Sequence, residues 1–154
     1  MTASVSPGRH SDSHGLLTAA TGAAIATLLP VAAYQTGAMK RLPDPPGSIF
    51  ASERITQSKA AHPLGIPDAI PGLGSYGLTL ALVMMAKDSP RARRLLAYKL
   101  AGDGALAGFN VVRQIVSFRR LCSWCTCTAL CTAVMLYAGR GIMAREAARV
   151  ASCR

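Results

Sequence analysis

The sequence predicts an all-α integral membrane protein, a four-helix bundle with a long outer loop between its first and second spans. Of its 154 residues, 51% are hydrophobic and only 16% are charged. The apolar residues gather into four long runs instead of recurring at amphipathic spacing. The basic residues, which give a net charge of +10, flank these runs, as expected of a protein in a lipid bilayer. A nucleic-acid partner is not expected, because the basic residues form no patch with interleaved aromatics.

The first run covers residues 15–38 and contains no charged residue. At about 1.5 Å per residue it is long enough to cross a hydrocarbon core of about 30 Å. It is also longer than the roughly 7–15 apolar residues of a signal peptide. We therefore expect a retained span, kinked at Pro30. The preceding residues, 1–14, are polar and rich in Ser and His, which predicts a disordered segment.

A polar loop, residues 39–63, separates the first run from the second, residues 64–86. Its length indicates a function or disorder, and residues 49–61 can form a short helix. The second run opens with helix-breaking residues between Gly65 and Gly72. Irregular backbone is tolerated in a membrane only where protein covers it or a water-filled cavity adjoins it. This opening predicts a pocket inside the bundle; a kinked helix start that packs tightly is the alternative.

The third run, residues 95–118, is joined to the fourth, residues 121–143, by a short turn. The two are therefore expected to form an antiparallel hairpin. Lys99 and Asp103 are four residues apart in the third run, so each can neutralise the other on one helical face. The basic tail, residues 144–154, predicts either an amphipathic helix on the inner membrane face or a frayed, solvated end.

The membrane domain is thus predicted over residues 15–143, and its orientation follows from the basic clusters. The strongest clusters are the loop 87–94 and the tail after Tyr137. Four spans put both clusters on the same side as the N-terminus, and the positive-inside rule assigns that side to the cytoplasm. We expect a multi-pass protein of a bacterial inner membrane, with both termini in the cytoplasm.

The fourth run opens with Cys122-Ser-Trp-Cys125, a dithiol motif on the side predicted to be oxidising. Because a helix N-terminus favours thiolate over thiol, this pair can close and exchange a disulfide. The simpler interpretation is two buried thiols that pack as small hydrophobes. On a helix of about 100° per residue, Cys127 and Cys131 fall on the other side of the cylinder, so no structural metal site is expected. Cys153 is expected to be a reduced bystander.

The chain resembles the vitamin K epoxide reductase family of membrane thiol oxidoreductases in two motifs. These are Leu64-Gly-Ile-Pro-Asp-Ala-Ile-Pro-Gly-Leu-Gly-Ser-Tyr76 and Leu121-Cys-Ser-Trp-Cys-Thr126. The resemblance extends over residues 15–140 and implies a four-helix bundle around a quinone. It implies that Cys125 attacks the quinone to form a transient adduct, which Cys122 resolves. Electrons would pass, in either direction, between a dithiol or disulfide and a co-substrate of the ubiquinone or menaquinone type.

The same resemblance implies further site residues. Asp68 stands where the family has a polar residue, often Asn, that hydrogen-bonds a quinone carbonyl, and a carboxylate donates such a bond only when protonated. Pro67, Gly72 and Trp124 would border the quinone, and Trp124 also suits an interfacial anchor. Ala129, which stands where the family has Tyr, would lie there too. The implied partner is a soluble thioredoxin-like dithiol protein.

The long loop departs from the family pattern, in which two further cysteines relay electrons to the soluble partner. No cysteine precedes Leu121, and Ser52 stands at the second relay position. A soluble dithiol would have to attack the membrane disulfide directly, which requires Cys122 to be exposed.

Three alternatives remain open at this point. The chain could be a degenerate member that binds quinone or a partner without turnover. It could be a subunit that takes the missing cysteines from a separate chain. It could also be a thiol-based membrane protein that handles soft metal ions. The metal alternative requires Cys127 or Cys131 to face the same cavity as the dithiol.

Overall fold

The computed structural model of the protein describes residues 8–152, and the regular secondary structure over this range is helical. The five α-helices are α1 (Gly8–Gln35), α2 (Ser52–Thr56), α3 (Ala69–Met85), α4 (Pro90–Phe118) and α5 (Ser123–Ser152). The all-α class predicted from the sequence is therefore confirmed.

The four long helices pack side by side. Helix α1 contacts α3 and α5, and α4 contacts the same two helices, so the four close into a bundle. The centre of the bundle is filled by fully buried side chains from each helix, namely Ala24, Val83, Leu96, Leu100 and Met135. Helices α4 and α5 approach closely at Gly139, where an added Cβ would overlap the Leu100 side chain. A small residue at such a contact lets two backbones come together.

Helix α1 begins earlier than predicted. It starts at Gly8, so residues 8–14, which were expected to be disordered, are helical. The His14 ring hydrogen-bonds the Val83 carbonyl through Nε2 at 3.0 Å. This contact holds the first turns of α1 against the end of α3. Residues 1–7 of the predicted disordered segment lie outside the described residues.

Helix α5 continues further than the predicted fourth span. It runs to Ser152, so the basic tail is helical as far as that residue. The tail continues α5 without a break, and its position on the inner membrane face stays a prediction. Cys153 lies outside the described residues.

Helices α1 and α5 are the two in the described chain that are long and apolar enough to cross a membrane, over Asp12–Gln35 and Ser123–Ser152. Helix α3 is apolar but shorter, with 17 residues. Helix α4 has 29 residues and includes Lys99, Asp103 and Arg113. Length and composition therefore support two of the four predicted spans.

The charges of α4 include a buried ion pair. Asp103 is only 5% exposed and pairs with Lys99 one turn earlier. It also accepts hydrogen bonds from the Thr79 hydroxyl at 2.7 Å and the Ser75 hydroxyl at 3.2 Å. These bonds offset the cost of burying the charge. The pairing predicted from the spacing of Lys99 and Asp103 is confirmed.

The segment between α1 and α3 folds back over the turn that joins α4 to α5. The Leu121 N–H donates to the Ile49 carbonyl and the Ala51 N–H donates to the Leu121 carbonyl, both at 2.9 Å. The predicted helix over residues 49–61 forms only as α2 and a separate 3-10 turn, Lys59–Ala61. The loop therefore covers the start of α5.

Candidate thiol redox site

Helix α5 begins directly after Cys122. Arg119 adopts a left-handed conformation, with φ of 50°, and ends α4. The Cys122 N–H then donates to Gln114 Oε1 at 2.8 Å. The Cys122 carbonyl accepts the Thr126 N–H at 2.9 Å, which is the first bond of the new helix. Cys122 thus occupies the N-cap position, and Cys125 lies in the first turn.

The two predicted cysteines meet at this cap. Cys122 Sγ accepts the N–H of Cys125, with 3.1 Å between nitrogen and sulfur, and so replaces the oxygen that usually caps a helix. A hydrogen bond from the Cys125 thiol lowers the pKa of Cys122, as do hydrogen bonds from the Ser52 hydroxyl and the Cys125 N–H. Burial and the charge of Asp44 oppose this shift. The two cysteines are therefore adjacent, and no bond joins their sulfur atoms in this structure.

The carboxylate of Asp44, in the loop between α1 and α3, holds this loop against the N-terminus of α5. Asp44 accepts hydrogen bonds from the Ser123 hydroxyl at 2.6 Å, from the Ser52 N–H at 2.7 Å and from the Ser52 hydroxyl. Ser52 Oγ in turn accepts the Ser123 N–H at 2.9 Å. Burial raises the pKa of Asp44, but the hydrogen bonds from Ser123 and Ser52 outweigh burial and lower the pKa overall. An ionised Asp44 therefore joins the loop to the first turn of α5.

The two thiols differ in accessibility. Cys122 is fully buried beneath the loop, whereas Cys125 is partly exposed. Ser52 is also fully buried, and its hydroxyl oxygen accepts the N–H of Ser123, the residue after Cys122. The condition for direct attack, an exposed Cys122, is therefore not met in this conformation. The loop covers the N-terminus of α5 and leaves Cys122 inaccessible from outside in this conformation.

Asp68 lies at the start of α3 with hydrogen-bond donors on its carboxylate. Gln35 Nε2 donates to Asp68 Oδ1 at 2.9 Å, and Arg113 Nη2 lies 3.9 Å from Asp68 Oδ2. Gln35 Oε1 also accepts the Ala69 N–H at 3.2 Å, so one side chain of α1 positions the start of α3. Asp68 is close enough to Cys125 to interact with it electrostatically. In this arrangement the carboxylate is an acceptor, whereas a contact to a quinone carbonyl requires a donor.

Two more of the predicted quinone contacts lie beside Asp68. Pro67 is half-buried just before α3. Gly72 lies against α1, because an added Cβ would be 3.3 Å from Leu28 Cδ1. The alternative interpretation of residues 65–72 was a helix start that packs tightly. The close approach of Gly72 to α1 agrees with that alternative.

The remaining two predicted contacts lie on α5. Trp124 donates from Nε1 to the Pro43 carbonyl at 2.9 Å, which ties the loop to the first turn of the helix. Ala129 is half-buried, about one turn beyond Cys125. Trp124 therefore has a structural partner in the loop, and Ala129 has no polar group to offer a ligand.

Two cavities of the described chain lie at the end of the bundle opposite Cys122 and Cys125. One is between the ends of the four long helices, and the other is between α4 and α5. Neither is lined by Cys125. The predicted pocket bounded by Pro67, Asp68 and Gly72 is therefore neither of these two.

The other cysteines do not join the dithiol. Cys127 is exposed, and Cys131 packs against the central apolar core. Over residues 8–152, no group of three or more His, Cys, Asp or Glu side chains is arranged to hold a metal ion. The soft-metal alternative therefore lacks a ligand set in this part of the chain.

Three residues that build the site, Gln35, Asp44 and Gln114, were not predicted from the sequence. Each acts through a contact with a distant part of the chain, so no local spacing signals its role. A weak sign existed for Asp44, which is the one charged residue in the run Pro43-Asp-Pro-Pro46.

The fold and the site define a helical bundle with a dithiol at the N-cap of its last helix. Comparison with protein families then identifies the chain: residues 15–139 match the model of the vitamin K epoxide reductase family. Because the match covers most of the chain, the protein belongs to that family of membrane-embedded oxidoreductases. The resemblance drawn from the two sequence motifs is confirmed. No curated protein and no solved structure gives a significant match.

Proposed function

We propose that the protein is a membrane thiol–disulfide oxidoreductase that exchanges electrons between a dithiol or disulfide and a membrane quinone. Cys122 and Cys125, at the outer end of the fourth span, would carry the reaction. The observation that carries this proposal is the contact between the two cysteines at the N-cap of α5, in a chain of this family. Because this bond holds the Cys122 sulfur against the backbone of Cys125, the two side chains need only a small movement to form or break a disulfide.

The proposal includes four membrane crossings, with both termini in the cytoplasm of a bacterial inner membrane. The charges of α4 oppose a crossing, but Lys99 and Asp103 are paired inside the bundle. The outward face of α4 carries large apolar side chains that are more than half exposed, namely Leu95, Leu106, Phe109, Val112, Ile115 and Val116. Soluble proteins rarely leave such a face uncovered, so a hydrocarbon environment explains it.

In the proposed reaction the dithiol is oxidised and the quinone is reduced. A bond forms between Cys122 Sγ and Cys125 Sγ, and the two electrons and two protons that leave the thiols convert the quinone to its quinol. Cys125 faces the quinone, because it is the more accessible thiol. Cys122 is the resolving nucleophile, because its lowered pKa favours the thiolate. In the opposite direction, quinol reduces the disulfide.

The proposed quinone site, for a ubiquinone- or menaquinone-type molecule, is bordered by Asp68, Pro67, Gly72, Trp124 and Ala129. The Asp68 carboxylate already accepts a hydrogen bond from Gln35. Ala129 has no hydroxyl that could donate one to a quinone. Both hydrogens of the Gln35 amide are already donated, one to Asp68 and one to the Thr56 carbonyl. The Arg113 guanidinium lies beside Asp68, and its Nε has no hydrogen-bond partner. We assign recognition of the quinone oxygen to Arg113.

Exchange with a soluble thioredoxin-like dithiol protein requires the loop to open. The contacts to be released are those of Asp44 and Ser52 with Ser123. Once they are released, Cys122 becomes accessible to an attacking thiolate from the partner.

The experiment that tests the proposal is quinone reduction by the purified protein with a small dithiol as electron donor. The wild type should reduce quinone, Cys125→Ala should fall to the rate without protein, and Cys127→Ala should match the wild type. Cys127 is the matched control because it is an exposed thiol on the same helix. Equal rates for wild type and Cys125→Ala would remove the proposed nucleophile.

A second function, quinone or partner binding without turnover, is favoured by the burial of Cys122 and by the serine at position 52. Trp124 is the only tryptophan, so quenching of its fluorescence reports quinone binding independently of chemistry. Quenching without any quinone reduction would select this second function.

A further inference from the structure

A large cavity lies at the end of the bundle opposite the dithiol. Its volume is about 1110 Å³, above the roughly 300–1,000 Å³ of usual small-molecule sites. Residues 12–17 of α1 and the loop after α3 form one side of it. The start of α4 and the second half of α5 form the other. No residue of the dithiol site contributes to this cavity.

The mouth of the cavity is strongly basic. Its lining includes the exposed cations Lys87, Arg93, Arg140 and Arg145, with Asp12 as the one carboxylate. The Arg140 guanidinium stacks on the Tyr137 ring, 3.9 Å from its centroid, which holds that charge at the mouth. A concave surface with such an excess of positive charge attracts an anion.

The inner wall of the cavity is apolar. It is formed by Leu17, Leu96, Ala138 and Ile142, of which Leu17 and Leu96 are buried in the bundle core. The same change from apolar to basic occurs along α5, where Ala138 is followed by Arg140. Such a change marks the level at which a spanning helix leaves hydrocarbon and enters the headgroup layer. A free anion would use only the basic mouth, whereas an amphiphile uses both surfaces.

We propose that this cavity binds a glycerophospholipid with a net negative headgroup. Its phosphate would lie against Arg93 and Arg140, and its acyl chains would follow the apolar wall. Arginine suits this role, because its planar group donates two parallel hydrogen bonds to a phosphate. Basic pockets between spans on the cytoplasmic side favour anionic headgroups in the same way. This site is independent of the thiol reaction.

Native mass spectrometry of the purified full chain tests the proposal. The wild type should retain phosphatidylglycerol in preference to phosphatidylcholine. At about 1 kcal/mol for each basic residue, Arg93→Gln and Arg140→Gln should each weaken phosphatidylglycerol binding about fivefold. Arg91→Gln should bind like the wild type, because Arg91 is exposed at the same end of α4 and does not line the cavity.

Several results would overturn the lipid site. One is equal retention of the two lipids by the wild type, a comparison that needs no variant. Another is an equal effect of Arg91→Gln and Arg93→Gln. A third is displacement of phosphatidylglycerol by millimolar inorganic phosphate, which would assign the site to a soluble phosphate compound.

Discussion

At the level of single residues, Cys122 has a structural role in the fold as well as its proposed chemical role. Its sulfur caps α5, a position that Ser, Thr, Asp or Asn usually occupies. The partial positive charge of the helix N-terminus and the donors around the sulfur stabilise a thiolate there. Cys122 is also fully buried under the loop. In the proposed reaction, Cys122 is therefore protected until the loop moves.

The lowered pKa of Cys122 predicts a distinct pH dependence. The difference in thiolate ultraviolet absorbance between wild type and Cys122→Ser should reach half its maximum at a pH below the value of about 8.5 for an ordinary cysteine. Because the folded-state pKa is depressed, the stabilisation it provides is complete above the ordinary value and is lost as pH falls through the lowered one. Titration at or above the ordinary value would contradict this account.

The hydrogen bonds of Asp44 predict how easily the loop over Cys122 opens. Asp44→Asn removes charged hydrogen bonds, each worth about 1.5–3 kcal/mol, so the loop should open more often and maleimide should label Cys122 about tenfold faster. Loss of the Asp44 charge also lowers the pKa of Cys122 further, which acts in the same direction. Asp88→Asn, an exposed site at the other end of the bundle, is the control. Equal labelling of Cys122 in both variants would show that Asp44 does not hold the loop in place.

At the residue level, a motif in the sequence singled out Cys122 and Cys125, and the structure brings these two residues together, while their role stays a prediction. The family resemblance placed Ser52 at the second relay position of the loop, and the structure places it beside Ser123. Gln35, Asp44 and Gln114 could not be predicted, because their partners come from other elements. The burial of Cys122 was one of two alternatives left open by the sequence, because it depends on how the loop folds back over the start of α5.

At the level of elements, the contact between α4 and α5 depends on small residues. Gly104 faces Leu136, where an added Cβ would lie 2.7 Å from Leu136 Cδ1, and Gly139 faces the fully buried Leu100. Because Leu100 is enclosed by the core, it has little room to move away from an added methyl group.

This contact predicts opposite effects for two alanine substitutions on one helix. Gly139→Ala should destabilise the bundle by about 1–3 kcal/mol, the usual cost of overpacking. Gly141→Ala meets no atom within 4 Å and should be neutral or stabilising by up to about 1 kcal/mol through helix propensity. Thermal or denaturant unfolding in the same detergent compares the two. Similar stabilities for both variants would contradict the packing assigned to α4 and α5.

The elements were predicted well where runs of apolar residues were long, as in α1, α4 and α5. The predicted second span began too early. The prolines at 63, 67 and 71 delay α3 to Ala69, because proline is tolerated only in the first turn of a helix. The early start of α1 rests partly on the contact between His14 and α3, which a local pattern does not contain.

At the level of the whole molecule, the two ends of the bundle differ in chemistry. One end carries the dithiol under its loop, and the other carries the basic cavity. The charge distribution predicts that the first end faces outward and the second faces the cytoplasm.

Labelling of single cysteines tests this orientation. In a background without the native cysteines, an impermeant maleimide should label Gln57→Cys in intact cells and Asp88→Cys only after permeabilisation. Both positions are exposed, and they lie at opposite ends of the bundle. The reverse pattern would invert the topology, and labelling of both sites in intact cells would exclude four crossings.

The most direct test of the redox assignment is a single turnover of the reduced protein with one equivalent of quinone, without oxygen, followed by disulfide mapping by mass spectrometry. We predict one quinol for each protein oxidised and a disulfide between Cys122 and Cys125, with Cys127 and Cys131 still reduced. Quinol formed without that disulfide, or formed equally by Cys125→Ser, would contradict the assignment.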